Sequence, residues 1–519
     1  MTAAAEQADT AKPSAGKADT GGESLLAWPR VIAEAVRNLL ARPTASFHLI
    51  VGMAIVLTIL GLVMVLSASS VEGYSKEGSA YSLFTTQVIF AILGLVVFYG
   101  TVRLPVRLLR RMAGPMIVLT TLLCALVLIP GVGTLSQGAR RWFVIYGLSV
   151  QPSELVKVAL CVWGAHLLAS RRRDNATMGE LLVPLLPVAV LICLLILLEP
   201  NLSTTITIAI IVGALLWFAG LPVRVFLAFG ATVVVFAVGL ALVEGYRSER
   251  VRSFIGAIHD PQGAGYQARQ ALYALANGGV FGVGLGQSRA KWNYLPNAHN
   301  DFIFAIVGEE LGLLGALVVI SLFVGLMLIG IRIALRSEDP FLKLMTSTIT
   351  VLITAQAIIN IGYVVGLLPV TGIQLPLVSA GGTSTLTVLA MLGLMANAAR
   401  HEPESVAALG DVKPLGWRAR LSRLPAPVAY RPSRTDQLRE RLAKRPRRSE
   451  PVARRRPQAR DARPIASGGR STSPRPRRTE TGAIPRTERA PGRRSHSARG
   501  GARAQSDPTR TTRPRDGWR

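Results

Sequence analysis

The sequence predicts an all-α polytopic membrane protein of ten transmembrane helices, and three observations carry the prediction. A mean hydropathy of +0.39 and 50% apolar residues coexist with a formal charge of +28 over 519 residues, a combination that water-soluble domains rarely hold. The two properties separate along the chain: residues 1–46 balance at zero, 47–400 carry +8 and 401–519 carry +20. Residues 47–400 also contain repeated apolar runs long enough for roughly 30 Å of hydrocarbon. A soluble multi-domain enzyme is excluded. So is a disulfide-stapled secreted protein, because Cys124, Cys161 and Cys193 lie inside apolar runs, where they read as small filler. The scattered histidines lack metal-ligand spacing, so no metal site is expected.

Residues 1–46 read as a largely disordered cytoplasmic segment, polar and Ala-rich, without the leading apolar core of a signal peptide. Within it, 25–41 is patterned for a short amphipathic helix at the membrane surface. Hydropathy then places spans at 47–69, 83–102, 113–130, 152–170, 181–198, 202–219, 222–243, 302–332, 345–368 and 384–399. An even number puts both termini on one side. Loops on that side hold eleven basic residues against three in the opposite short loops, so both termini are expected to be cytoplasmic. The connection 244–301, between the seventh and eighth spans, is the long one and falls outside. Long loops among tight connections are where function concentrates. From 403 to 519 the chain is basic and carries 15 of the 31 prolines, a composition expected to stay disordered.

Ionisable residues in or beside a membrane are candidates for function. Glu154 and Lys157 open the fourth span three residues apart, on one helical face. They suit either a structural ion pair or a cation facing an anionic ligand. Arg140 and Arg141, followed by Trp142, suit either an interface anchor or a pyrophosphate contact. Glu199 and Asn201 flank the helix-breaking Pro200, and an interface carboxylate is ordinarily solvated. The glycines at 278, 279, 282, 284 and 286 have no βαβ context, which leaves close packing or an anion nest instead of a dinucleotide site. Asp301, two residues after His299, opens the eighth span. It suits a helix cap and equally a general base at the water–lipid boundary. Glu309 and Glu310 lie deeper, and at least one must face the bundle interior.

The stretches QPSELVK, DPQGAGYQ, GVGLGQS, YLPNAHNDFIFAIVGEELG and GLLPVTGIQLPLVSAGGTS, in this order across ten spans, resemble the SEDS family of shape, elongation, division and sporulation proteins. The resemblance covers roughly 47–402. VLSASSVEGY and NAARHE are closer to the FtsW cell-division branch than to the RodA branch, and the basic tail resembles actinobacterial members. The resemblance implies a peptidoglycan glycosyltransferase that polymerises lipid II on the outer face of the plasma membrane at the division septum. Its implied partners are a class B penicillin-binding protein, an FtsI-like transpeptidase, and other division proteins. The family's essential aspartate falls on Asp301, its Glu and Lys on Glu154 and Lys157, and its basic residue before the YLP motif on Lys291. Asn201 stands where the family usually has Asp, which weakens any catalytic or metal role there. No tightly bound cofactor is implied, and a divalent cation, Mg or Mn, is left open. A lipid II flippase and a division scaffold are the alternative functions. The tail's expected partners are anionic inner-leaflet lipids, at about 1 kcal/mol per basic residue, or an acidic FtsZ segment. Nucleic acid is not expected, because no aromatic interleaving accompanies the charge.

Overall fold

The computed structural model describes residues 41–171, 178–243, 264–410 and 424–430, less 137, 293, 294, 296 and 297, and positions 31, 34, 37 and 38. All lie in the first of two compact units, Met1–Arg439; the second, Glu440–Arg519, is outside the described residues. Most of the expected N-terminal amphipathic helix, residues 244–263 and most of the basic tail therefore fall outside the description too.

Twelve helices and three strands are described: α1 Ala45–Glu77, α2 Ser82–Arg103, α3 Val106–Val127, β1 Thr134–Ser136, β2 Ala139–Ile145, β3 Leu148–Val150, α4 Pro152–Arg171, α5 Met178–Leu198, α6 Leu202–Phe218, α7 Val223–Val243, α8 Ala264–Gly278, α9 Ile303–Arg336, α10 Pro340–Val364, α11 Gly382–Arg400 and α12 Pro403–Gly410. Seven of them (α1 to α4 and α9 to α11) are long and apolar enough to cross a membrane, and α5, α6 and α7 supply shorter apolar stretches. The chain is a helical, multi-pass membrane protein. Each hydropathy span overlaps one of these ten helices. Polar first turns explain the early starts: α3 begins at Val106, after Pro105, and takes in Arg107, Arg110 and Arg111. The α10 helix begins at Pro340, where Asp339 accepts from the Phe341 N–H at 2.9 Å.

Helix α11 sits at the centre, buried almost throughout. It packs so closely on α2 that a Cβ on Gly393 would lie 2.0 Å from Thr101 Oγ1 and 2.6 Å from the Phe98 carbonyl. Small residues at helix crossings allow such approach. One turn from the end of α11, Asn397 Nδ2 donates to the Thr101 and Leu104 carbonyls at 2.8 and 2.7 Å, satisfying acceptors that the C-terminus of α2 leaves over.

Three features depart from the sequence reading. An antiparallel sheet, β1-β2-β3, lies between α3 and α4. Ile145 pairs with Leu148 across a two-residue turn at Tyr146 and Gly147, both at positive φ, which suits the twist of a hairpin. The expected disorder from 403 gives way to α12, and residues 424–430 return to the bundle, where Arg400 donates to the Pro425 carbonyl at 2.5 Å. The 244–301 connection contains a helix, α8, and a segment that completes a broken one.

That broken helix is α9. Gly312 has φ 70° and ψ −168°, so the ladder stops there and restarts. The freed Glu309 and Glu310 carbonyls accept from the Val283 and Gly284 N–H groups at 2.9 and 3.0 Å, and the Leu313 and Leu314 N–H groups donate to Gly279 and Val280 at 2.9 and 3.2 Å. Segment 279–284 thus lies across the break like a strand, and the buried backbone stays paired. The glycine run serves close packing: a Cβ on Gly282 (φ +83°) would stand 2.2 Å from the Glu310 carbonyl oxygen, whereas one on Gly284 (φ +103°) meets nothing nearer than Gln287 Cγ at 3.8 Å. Gly282→Ala is expected to cost about 3 kcal/mol and Gly284→Ala about 1 kcal/mol, the second from backbone strain alone. Melting temperatures of the two purified variants check this, and equal shifts would contradict the strand insertion.

Candidate active site

Asp301 lies at the end of the bundle that carries the hairpin, where α6, α9, α10 and the 366–381 connection meet. It does not cap α9, because the N-cap position falls on Phe302. Its backbone is pinned instead. Asn360 Nδ2 and Tyr363 Oη donate to the Asp301 carbonyl at 3.0 and 2.6 Å, and the same two groups reach the Ile373 carbonyl at 2.8 and 2.9 Å. One pair of α10 side chains, a helical turn apart, therefore holds both segments in register. The half-buried carboxylate faces the bare Cα of Gly372: a Cβ built there would lie 3.4 Å from Asp301 Oδ2 and 3.8 Å from Ser203 Oγ. Ser203 in turn donates to the Thr371 carbonyl.

Glu154 and Lys157 face inward on the first two turns of α4. Lys157 Nζ is 2.7 Å from Glu154 Oε1, with side chains 3% and 12% exposed, and the Thr387 hydroxyl donates to Glu154 Oε2 at 3.4 Å. The pair belongs to a polar layer between α2, α4 and α11. Gln87 Nε2 donates to Thr385 Oγ1 at 2.8 Å, its Oε1 accepts from the Gly381 N–H at 3.1 Å, and the Gln151 N–H donates to Thr383 Oγ1 at 3.1 Å.

Strand β2 carries its two arginines at an irregularity, where the pairing with β1 shifts register between Thr134–Trp142 and Leu135–Arg140. Arg141 donates through Nε and Nη2 to the Glu199 and Pro200 carbonyls at 2.6 and 2.5 Å, fastening the hairpin to the α5–α6 turn. Arg140, beside it, is partly buried. Glu199 is wholly buried, contrary to the solvated carboxylate expected from sequence. Burial pushes its carboxyl up to about 8, while the Arg141 guanidinium and the Ser153 hydroxyl pull the other way. Asn201 caps α6 by accepting from the Thr204 N–H at 3.2 Å, a structural use for the residue that replaces the family's Asp.

Both Glu309 and Glu310 are buried. Glu309 takes the Ser288 hydroxyl and the Arg289 and Ala290 N–H groups, the latter two at 3.2 and 3.3 Å. Glu310 takes the Ser67 hydroxyl at 2.6 and 2.7 Å and stands 4.0 Å from Lys291 Nζ. Lys291 also donates to the Gly286 carbonyl, so its ammonium is turned into the loop it belongs to. His299 Nδ1 lies 2.8 Å from Glu72 Oε2, and its carbonyl accepts from the Ala380 N–H at 2.9 Å.

The structure therefore brings together Glu154 with Lys157, and His299 with Glu72. It commits Arg141, Lys291 and His299 to contacts within the protein. Glu72, Ser203, Asn360, Tyr363 and Gly372 complete the site and were not singled out from sequence. The polar pair Asn360 and Tyr363 near the end of an apolar span was the signal available for two of them. Among the described residues, no group of three or more His, Cys, Asp or Glu is placed to hold a metal ion.

Comparison with known proteins now decides the family. The family described as cell cycle protein, FtsW/RodA/SpoVE, matches residues 47–404. The chain belongs to the FtsW/RodA/SpoVE family. Within it, the probable peptidoglycan glycosyltransferase FtsW of Mycobacterium tuberculosis is 51% identical over 482 residues, 92% of this chain and 90% of that one, an actinobacterial FtsW. Stage V sporulation protein E of Bacillus subtilis is 36% identical over 360 residues, 69% of this chain and 98% of that one. Among solved structures, a chain from work on structural coordination of polymerization and crosslinking by a peptidoglycan synthase complex aligns with TM-score 0.57 at 28% identity, covering 68% of this chain and 97% of that chain. The rod shape determining protein RodA of Thermus thermophilus aligns with TM-score 0.51 at 28% identity, over 68% of this chain and 96% of that chain. The FtsW/RodA/SpoVE match runs from α1 into the first residues of α12. The mycobacterial similarity is longer than that domain and takes in part of the flanking segments.

Proposed function

We propose that this FtsW/RodA/SpoVE protein is a peptidoglycan glycosyltransferase that polymerises lipid II at the outer face of the plasma membrane during septal wall synthesis. The glycosyltransferase activity follows from the family and its FtsW relatives. Asp301 carries the assignment of the site: a half-buried carboxylate whose main chain is clamped by α10 while its side chain borders the bare Cα of Gly372. Asp301 takes the proton from the acceptor sugar hydroxyl as that oxygen forms a bond to the donor's anomeric carbon. The bond from that carbon to the pyrophosphate breaks, and undecaprenyl pyrophosphate leaves with the electron pair. Cations near the departing charge lower the barrier, and Arg140 and Lys157 are the candidates. Arg141, Lys291 and His299 act through the frame they hold. A Mg or Mn ion travelling with the substrate pyrophosphate is the one metal role this reading leaves open.

The same reading has ten membrane crossings with both termini in the cytoplasm, the 244–301 connection outside and the 403–519 tail inside, at the septum. A class B penicillin-binding protein is the partner, supported by similarity to a chain of a peptidoglycan synthase complex. The +20 of residues 401–519 suits anionic lipids and an acidic FtsZ segment. Capture of FtsZ that resists salt, or no capture, would remove that last partner. Purified protein mixed with lipid II and a class B partner is expected to yield glycan polymer. Vesicles that translocate labelled lipid II without polymerising it would favour a flippase instead.

A further inference from the structure

The run Ser67, Ser69, Ser70, Glu72 opens the polar C-terminal part of α1, and the reaction as described leaves it without a task. Two of its side chains reach the stretches on either side of Asp301, Ser67 to α9 after it and Glu72 to the segment before it. Ser67 donates to both oxygens of Glu310, whose neighbour Glu309 holds residues 288–290. Five residues on, Glu72 Oε2 meets His299 Nδ1 at 2.8 Å, with side chains 22% and 8% exposed. The backbone of 299–301 is held from other directions: Ala380 bonds the His299 carbonyl, and Asn360 and Tyr363 bond the Asp301 carbonyl. Glu72 thus adds a side-chain anchor from a third element, α1, two residues before the carboxylate.

We propose that Glu72 is a positioning residue that sets the aim of Asp301 through His299. The inference rests on reading Asp301 as the base. Without the Glu72 carboxylate the buried imidazole loses the polar group packed against its Nδ1, and the turn that carries it is free to shift. Misplacement of a reacting group by about 1 Å costs on the order of 10²-fold in rate. Substrate binding is not what the pair provides, so the loss falls on kcat.

Steady-state polymerisation of lipid II by the full-length chain with its class B partner tests this. Glu72→Ala and His299→Ala are each expected to lower kcat by about 30- to 100-fold with KM within about twofold. Glu72→Asp should recover part of the loss, and the exchanged pair Glu72→His with His299→Glu most of it. If Glu72→Ala does not purify as a folded protein, the isosteric Glu72→Gln replaces it. Unchanged kcat, a rise in KM alone, or an exchanged pair no better than the single variants would overturn the proposal. Hydrogen exchange of peptides covering 298–303 gives a readout independent of activity. It is expected to rise in Glu72→Ala, and unchanged exchange overturns the positioning role. Asp301→Asn run in parallel separates the two ideas: retained polymerisation there refutes the base, while the exchange result still decides whether Glu72 holds the turn.

Discussion

Asp301→Asn is expected to yield a folded protein that binds its partner and loses about 10²- to 10⁴-fold in polymerisation, the span a general base contributes. The substitution is nearly isosteric and removes the carboxylate's charge together with its capacity to take a proton. The contacts that define the local backbone go to the Asp301 carbonyl from Asn360 and Tyr363, so they survive the change. Loss of polymer with an unshifted melting temperature would therefore speak to chemistry and not to folding. Polymer formed at the wild-type rate would remove Asp301 from the mechanism. Asp301→Glu sharpens the test. It retains the base but lengthens the side chain beside Gly372, where a single added carbon would already stand 3.4 Å from Oδ2. An intermediate rate is expected.

Lys157→Met should be the most destabilising of the charge removals. It strands Glu154, whose side chain is 12% exposed and whose ion partner sits at 2.7 Å. Breaking a buried pair from one side costs about 3–5 kcal/mol, whereas replacing both partners with neutral groups is often close to neutral. The double variant Lys157→Met with Glu154→Gln is accordingly expected to recover most of the melting temperature lost by the single one. Its activity then decides between the two uses that the sequence leaves open. A stable double variant that polymerises normally assigns the pair to architecture. A stable and inactive one assigns Lys157 to the pyrophosphate. A double variant as unstable as the single would contradict the ion-pair account.

How much of this was legible beforehand follows from the kind of signal each feature leaves. The apolar helices were readable because lipid demands long apolar runs: α9 and α11 fall where hydropathy put them, within a few residues, whereas α1 runs on to Glu77, beyond its expected end at 69. The β1–β3 hairpin was not, since two of its strands are three residues long and their alternation is too brief to register beside a neighbouring span. Asp301 and the Glu154–Lys157 pair stood out as charges in costly places. Glu72 did not, because a carboxylate near a helix end ordinarily faces water, and its partner His299 lies 227 positions further along by residue number. Pairings at that distance leave no local pattern. The break at Gly312 was hidden for a related reason. Its glycine resembles any small residue of a membrane helix until segment 279–284 is known to lie across it.

That inserted segment also bears on how the chain is made. Synthesis runs from the N-terminus, so residues 279–284 emerge before Glu309 to Leu314 do. The strand that will accept the broken turn is already waiting when the turn arrives, and the freed carbonyls need not wait for a later part of the chain. With the order reversed, the interrupted helix would have to enter hydrocarbon with its backbone bonds unmade, at several kcal/mol for each group. The break can be placed inside an apolar helix because what mends it precedes it.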